Sequence, residues 1–485
     1  MRRKLILLGI DGGTWKVIKP LKEDGHLPII QELTDRGVHG TLISTIPPNT
    51  PPAWTSIFTG TNPGKHGITN FIIRKDNTNF SVPTLHDRMV DSIWRILSNL
   101  GLRSIIINDP VTYPPEEING IMTTGLSTPP GSQNFVHPKE LKDNLNKVTS
   151  GYECDLPMHF LKKVAINKNE AYEKLAEFAT KIAKASFYLA KNYDWDVLAI
   201  ILTSIDRLQH FYWDDYHYIK NHYVWLDATI KRILEIEPDA NIFGVSDHGF
   251  GPLVRRFYVN NWLSSLGLLT PSKSIVHYLM SSSGLTYHRI VDVLSRLKLY
   301  RAAAKLTPIW VKRRIPTADL EKDALIDYDR SLAYSVGIGY GVFVNRKLND
   351  SENKELKHMI SENLQSLNDH GVRPISRTYY NNEVLWGPYV HRGSDVFLLP
   401  REGYEISPHL CPFGIFGPPI STEAERKGTH HLEGIFMAYG PDIKKGCKLN
   451  FNVQTWDITP TLFHTLGLPI PCLLYTSPSP RDRTR

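Results

Sequence analysis

The feature that most limits how this chain can fold is a set of short apolar runs at residues 4–10, 104–107, 197–203 and 241–245, each followed by polar or glycine-rich residues. They read as buried strands. Between them lie stretches of helical length and period; within 170–191, Tyr172, Leu175, Phe178, Ile182 and Phe187 recur at near-helical spacing. The alternation implies an α/β fold, a mostly parallel sheet flanked by helices. At 485 residues the chain is about three times the usual domain length. The strand-helix pattern nevertheless recurs to residue 471, so 1–471 reads as one large domain. An inserted helical cap is expected at about 262–330, in pieces bounded by Pro271, Gly284, Pro308 and Pro316, before strand-like 332–345 resumes the sheet pattern. Residues 472–485 have no periodicity, include Ser477-Pro478-Ser479-Pro480, and are expected to be a disordered, non-native tail.

Charge and cysteine usage narrow the setting. The formal charge is +7, but residues 288–316 alone carry eight Lys and Arg against the single acid Asp292. The rest of the chain is therefore not basic, and no nucleic-acid partner is indicated. The basic stretch reads as the solvated face of a cap helix; contact with an anionic substrate or surface is the sharper alternative. No apolar stretch approaches the roughly 18 residues that span a bilayer. The start, Met-Arg-Arg-Lys and six apolar residues, imitates a leader but runs into Asp11-Gly12-Gly13 without a small-residue cleavage site. Cys154, Cys411, Cys447 and Cys472 form no C-x-x-C spacing, which argues against a disulfide framework or a thiolate zinc site. A reducing, cytoplasmic setting is the expectation.

Asp and His residues gather where the apolar runs end. Asp11 follows the first run inside Gly9-Ile10-Asp11-Gly12-Gly13, and ligands of open α/β sheets bind at such strand ends. Asp206 and His210 follow the third run four residues apart, one above the other if a helix begins there. Asp247 and His248 follow the fourth run among glycines, and Gly428-Thr429-His430-His431 offers one or two further imidazoles. Singly, a strand-end Asp is as well explained as a helix cap. Together, three carboxylates and three or four imidazoles suit two divalent cations of the kind used in phosphoryl transfer. The best nucleophile candidate is Thr50, followed by Pro51 and Pro52 and expected to be the N-cap of a helix to about Thr59, where amides and dipole favour an anion. Thr55, Ser56 and Thr59 read as structural.

These segments, with Pro63-Gly64-Lys65-His66-Gly67-Ile68, Pro110-Val111-Thr112-Tyr113-Pro114-Pro115 and Trp456-Asp457-Ile458-Thr459-Pro460-Thr461, resemble the alkaline phosphatase superfamily, in its type I phosphodiesterase and nucleotide pyrophosphatase branch, over most of 3–471. The resemblance implies an alkaline-phosphatase-like catalytic domain with Thr50 as a nucleophile that becomes phosphorylated. It implies that Asp206, His210 and His430 bind one metal, and that Asp11, Asp247 and His248 bind another together with Thr50. His430, not His431, matches the family position. Zinc is the implied metal, with manganese compatible. Where nucleotide pyrophosphatases place a phosphate-binding Asn, this chain has Phe71, so Asn70 is the candidate phosphate contact. The implied activity is hydrolysis of a small phosphodiester, phosphomonoester or phosphoanhydride. A phosphomutase or phosphotransferase on the same site is the alternative, and a non-catalytic metal-binding protein a weaker one. Thr50-Pro51-Pro52-Ala53-Trp54 lacks the Cys/Ser-x-Pro-x-Arg signature of sulfatases.

Overall fold

A computed structural model describes residues 3–76, 79–156, 167–272, 326–410, 414–418 and 426–471. The first apolar run forms the strand Leu5–Ile10, buried at every position. It is buried because it is central: it pairs in parallel with Val197–Leu202 on one side and with Asn241–Val245 on the other. Ser104–Asp109 and then Gly120–Thr124 extend the parallel set. On the opposite flank Glu433–Tyr439 runs antiparallel to both Asn241–Val245 and Val38–Ile43. Among the described residues this sheet has ten strands, and its parallel centre is the architecture expected from the sequence.

Pleating sorts the first strand between two layers. Leu5 and Leu7 meet Trp54, Ile57, Phe58 and Trp94 on one face. Ile6, Leu8 and Ile10 meet Leu175, Phe178, Ile182, Leu226 and Ile230 on the other, from the helices Lys168–Asn192 and Tyr216–Leu234. The helix Thr50–Thr59 is buried along its whole length. With about 1.5–3 kcal/mol for each large apolar side chain removed from water, it is held as firmly as the strands beneath it. Gly9 makes that packing possible, because a Cβ there would lie 2.5 Å from the Trp54 ring.

The run 332–345 does not rejoin the central sheet. Its strands Ala333–Tyr334 and Gly341–Val344 enter a smaller antiparallel sheet with Val396–Pro400 and Ile375–Tyr380. That sheet has its own core, including Trp262, Leu263, Ile326, Val342 and Leu398. Local apolar patterning identifies a strand but not the sheet that accepts it. Residues at the start of the expected cap thus pack in this second core, and Pro271 bridges to Ile326. The basic stretch 288–316 and the tail 472–485 lie outside the described residues.

After a turn at 246–248, Gly249–Tyr258 continues from Asn241–Val245 and pairs in parallel with Gly403–Ser407 and antiparallel with Gly428–His431. The last pairing carries His430 to the end of the central sheet. Among the described residues no helix is long and apolar enough to cross a membrane.

Candidate active site

At the carboxyl ends of the parallel strands the chain leaves the sheet, and the side chains there converge. Asp11 follows Ile10, Asp247 and His248 follow Val245, and Asp206 lies in the first turn of the helix Ser204–Tyr212. His210 is one turn further on, and His430 sits opposite Phe250 in the strand register. Asp11, Asp206, Asp247, His210 and His248 are all buried. His431, next along the strand from His430, takes the backbone N–H of Glu433 on its Nδ1 (3.4 Å), as expected when neighbouring strand residues point to opposite faces.

Each histidine of the cluster is oriented by a backbone carbonyl. His210 Nδ1 donates to Gly428 O (3.0 Å), His248 Nδ1 to Gly249 O (3.0 Å) and His430 Nδ1 to Pro48 O (2.9 Å). A carbonyl can only accept, so Nδ1 holds the proton and the Nε2 lone pair is left to face the cluster, the arrangement seen in histidine metal ligands. Nε2 of His210 and of His430 lie 3.4 and 3.2 Å from Asp206 Oδ1. His248 Nε2 lies 3.2 Å from Asp247 Oδ2 and 3.6 Å from Asp11 Oδ1.

The carboxylates are half satisfied. Asp11 Oδ2 accepts from the Trp54 indole (3.2 Å) and Asp247 Oδ1 from the Gly12 amide (3.1 Å), where the turn needs the positive φ of Gly12 (69°). Asp11 Oδ1, Asp247 Oδ2 and Asp206 Oδ1 are buried and find no hydrogen-bond partner among the described residues. Burial, then the neighbouring carboxylates, hold Asp11 well above the usual carboxylate range; burial likewise raises Asp247. Burial also works against ionised Asp206, and only protonated His210 and His430 would hold that carboxyl low. Burial and the Arg426 guanidinium bring His210 down to about 4, and burial together with His430 depresses His248. Neutral imidazoles beside crowded, unsatisfied carboxylates suit divalent cations, which would satisfy the three orphaned oxygens at once. Two ligand groupings are close enough to share an ion: Asp206, His210 and His430, and Asp11, Asp206 and His248. Asp206 thus lies between both sets, whereas the sequence placed it with one.

Thr50 is the first helical residue, not the N-cap, because Asn49 has extended backbone (φ −117°, ψ 146°) and caps the helix. Pro51 and Pro52 carry no N–H, and the Ala53 amide donates to Asn49 O (3.1 Å), so the helix offers an anion little beyond the Thr50 amide. That is a smaller cradle than a helix N-terminus normally supplies. Thr50 Oγ1 lies 3.5 Å from His248 Nε2, at the edge of the cluster. Asn70 is beside it: its Oδ1 accepts from Asn49 Nδ2 and from the Phe71 amide (both 2.8 Å), so its Nδ2 is the donor left for a ligand. Thr55 and Thr59 donate to Pro51 O and Thr55 O (both 2.7 Å), and Ser56 is 3.0 Å from His66 Nε2; these hydroxyls serve the helix.

Sequence reasoning missed the supports. Trp54, one turn after Thr50, orients Asp11. Gln209 donates to Gly12 O (2.8 Å), bracing the turn that orients Asp247. A buried ion network stands behind His210: Arg426 lies between His210 and Glu405, and Glu405 also pairs with Arg256. Proximity to Thr50 and to His210 was a usable signal for Trp54 and Gln209. No local signal links Arg256, Glu405 and Arg426.

A sheet with this order and a ligand-bearing carboxyl edge is built as in the alkaline-phosphatase-like hydrolases. Phosphonoacetate hydrolase from Sinorhizobium meliloti 1021, in complexes with phosphonoformate and with phosphonoacetate, matches the fold with a TM-score of 0.60 in both cases, at 13% and 14% identity, covering 96% of this chain and 95% of that one. Residues 5–408 match the type I phosphodiesterase / nucleotide pyrophosphatase family, and the chain belongs to it. It is accordingly a hydrolase acting on phosphoester bonds. The matched span ends before His430, whose place beside Asp206 comes from the fold. No curated protein matches the sequence.

Proposed function

We propose that this chain is a metal-dependent phosphohydrolase of small phosphorylated molecules that works through a phospho-threonine at Thr50. The observation that carries the reading is the position of Thr50 Oγ1, 3.5 Å from His248 Nε2, at the edge of a cluster whose three buried carboxylate oxygens find no hydrogen-bond partner among the described residues. Asp206, His210 and His430 would hold one dication, and Asp11, Asp247 and His248, with Thr50, the other, with Asp206 standing between the two. The imidazole-rich donor set favours zinc, with manganese the other candidate. When bound, such ions withdraw charge from phosphoryl oxygens and lower the pKa of a nearby hydroxyl.

The chain's own residues supply the rest. Thr50 Oγ gives up its proton and forms a bond to phosphorus as the bond to the leaving oxygen breaks on the far side of the phosphorus, the leaving oxygen taking up a proton from solvent. Water then cleaves the phospho-threonine, restoring the hydroxyl and releasing the phosphoryl group. The Thr50 amide and Asn70 Nδ2 would hold a phosphoryl oxygen. Asn70→Ala is therefore expected to lower kcat/KM by about 10–100-fold, in line with removal of one oxyanion donor, while dication content measured by elemental analysis stays at the wild-type level. An unchanged kcat/KM would remove Asn70 from the site.

The reading is tested by assaying purified protein, loaded with zinc or with manganese, against nitrophenyl phosphate monoesters and diesters. Turnover that disappears on chelation and returns with metal is the expected result. Failure with every substrate and both metals would overturn it. Phosphoryl transfer to an added alcohol, without release to water, would point instead to a phosphotransferase.

A further inference from the structure

The three imidazoles form a row. His248 and His430 stack with centroids 3.8 Å apart, and His210 follows at 5.0 Å from His430. Thr50 touches the row at the His248 end, while Arg426 touches it at the other, its Nη2 2.5 Å from His210 Nδ1 and 3.0 Å from His210 Nε2. The guanidinium thus lies against both nitrogens of the His210 ring, beside the Nε2 that a metal ion would use. A dication on that nitrogen would repel a guanidinium held so close.

Arg426 is also tethered from behind. Its Nη1 lies 2.7 Å from Glu405 Oε1, and Arg256 Nε lies 2.6 Å from Glu405 Oε2. Arg256 and Glu405 are register partners in adjacent parallel strands, so the tether is built into the sheet. Burial alone would raise the Glu405 carboxyl, but Arg256 and Arg426 bring it down to about 2, so it is ionised at neutral pH. Two guanidiniums against one carboxylate leave a surplus positive charge. It resides on the accessible member: the Arg426 side chain is 24% exposed, Glu405 and Arg256 each 7%.

We infer that Arg426 is a specificity residue on the leaving-group side of the site: displaced from His210 when metal binds, and still tethered to Glu405, it pairs with a negative group on the departing part of the substrate. The side follows from in-line displacement, which puts nucleophile and leaving group on opposite faces of phosphorus, and from Thr50 and Arg426 touching opposite ends of the histidine row. The inference rests on Thr50 being the nucleophile of a phosphohydrolase, and it narrows the substrates to those whose leaving group carries a carboxylate, a phosphate or a similar anion.

Two measurements test it. In the first, metal-stripped wild type and Arg426→Gln are titrated with zinc in competition with a chromophoric chelator. The variant is expected to bind zinc about tenfold more tightly, since a positive charge no longer stands beside His210; equal or weaker binding would overturn the displacement. In the second, zinc-loaded proteins are compared on 4-nitrophenyl phosphate and 3-carboxy-4-nitrophenyl phosphate. Wild type is expected to favour the carboxylated leaving group by about tenfold in kcat/KM, Arg426→Gln to bring that ratio near one, and Arg426→Glu to invert it. Turnover by wild type without discrimination, or discrimination that survives Arg426→Gln, removes the inference alone. No turnover by wild type of these two esters or of their methyl diesters, with zinc or with manganese, removes the phosphohydrolase reading and the inference with it.

Discussion

Thr50→Ala is expected to lower kcat/KM by at least roughly 10³-fold, about 4 kcal/mol of transition-state stabilisation, with dication content unchanged. Both halves follow from where the residue sits. Its Oγ1 is at the edge of the cluster and its recorded polar contact is His248 Nε2 at 3.5 Å, so truncation deletes the attacking atom and little else. The backbone of the helix is anchored independently, through Trp54, Ile57 and Phe58 in the core. The stability change should accordingly stay within about 1 kcal/mol. Thr50→Ser keeps a hydroxyl and should recover part of the rate, which a purely structural role for the threonine would not predict. Elemental analysis and steady-state kinetics on the same preparations decide the matter. Loss of metal in the alanine variant, or near-normal turnover, would refute the nucleophile assignment.

Some of this was legible before any coordinates because parallel strands advertise themselves. Leu5–Ile10, Val197–Leu202 and Asn241–Val245 are buried on both faces, so their apolar runs are uninterrupted and the polar residues that end them stand out. Asp11, Asp206 and Asp247 were found that way. What was not legible depended on partners distant in sequence. The strands at 332–345 look locally like the others but pair within the smaller sheet. The resemblance places Asp206 in a single ligand set, and spacing along a helix says nothing about Asp11 and His248 arriving beside it from other strands. The helix start was misplaced by one residue, since Asn49 and Thr50 are both good caps and only the backbone distinguishes them. The Arg256–Glu405–Arg426 network left no trace, because its first pair exists only through the register of Gly249–Tyr258 against Gly403–Ser407.

The position of Asp206 between both ligand groupings leads to a graded expectation for metal loading. Asp206 Oδ1 is within 3.4 Å of His210 Nε2 and 3.2 Å of His430 Nε2, and the same residue stands in the grouping with Asp11 and His248. Asp247 faces His248 and belongs to neither the His210 nor the His430 contacts. Asp247→Ala should therefore weaken one dication and spare the other, whereas Asp206→Ala should weaken both and lower kcat/KM by at least roughly 10³-fold. Elemental analysis after dialysis checks the order. Thermal unfolding with added zinc gives a second readout that needs no substrate, because a ligand at a hundred times its Kd stabilises a folded protein by about 2.7 kcal/mol. Wild type should show the largest zinc-dependent rise in Tm, Asp247→Ala a smaller one and Asp206→Ala the least. Metal-free Asp206→Ala should unfold no earlier than metal-free wild type, since the substitution removes a charge from a buried cluster in which Asp11 and Asp247 are already held above their normal range by burial and by the Asp206 charge. Equal zinc-dependent shifts in the two variants would show that Asp206 serves a single ion, and would separate the sets as the sequence alone had drawn them.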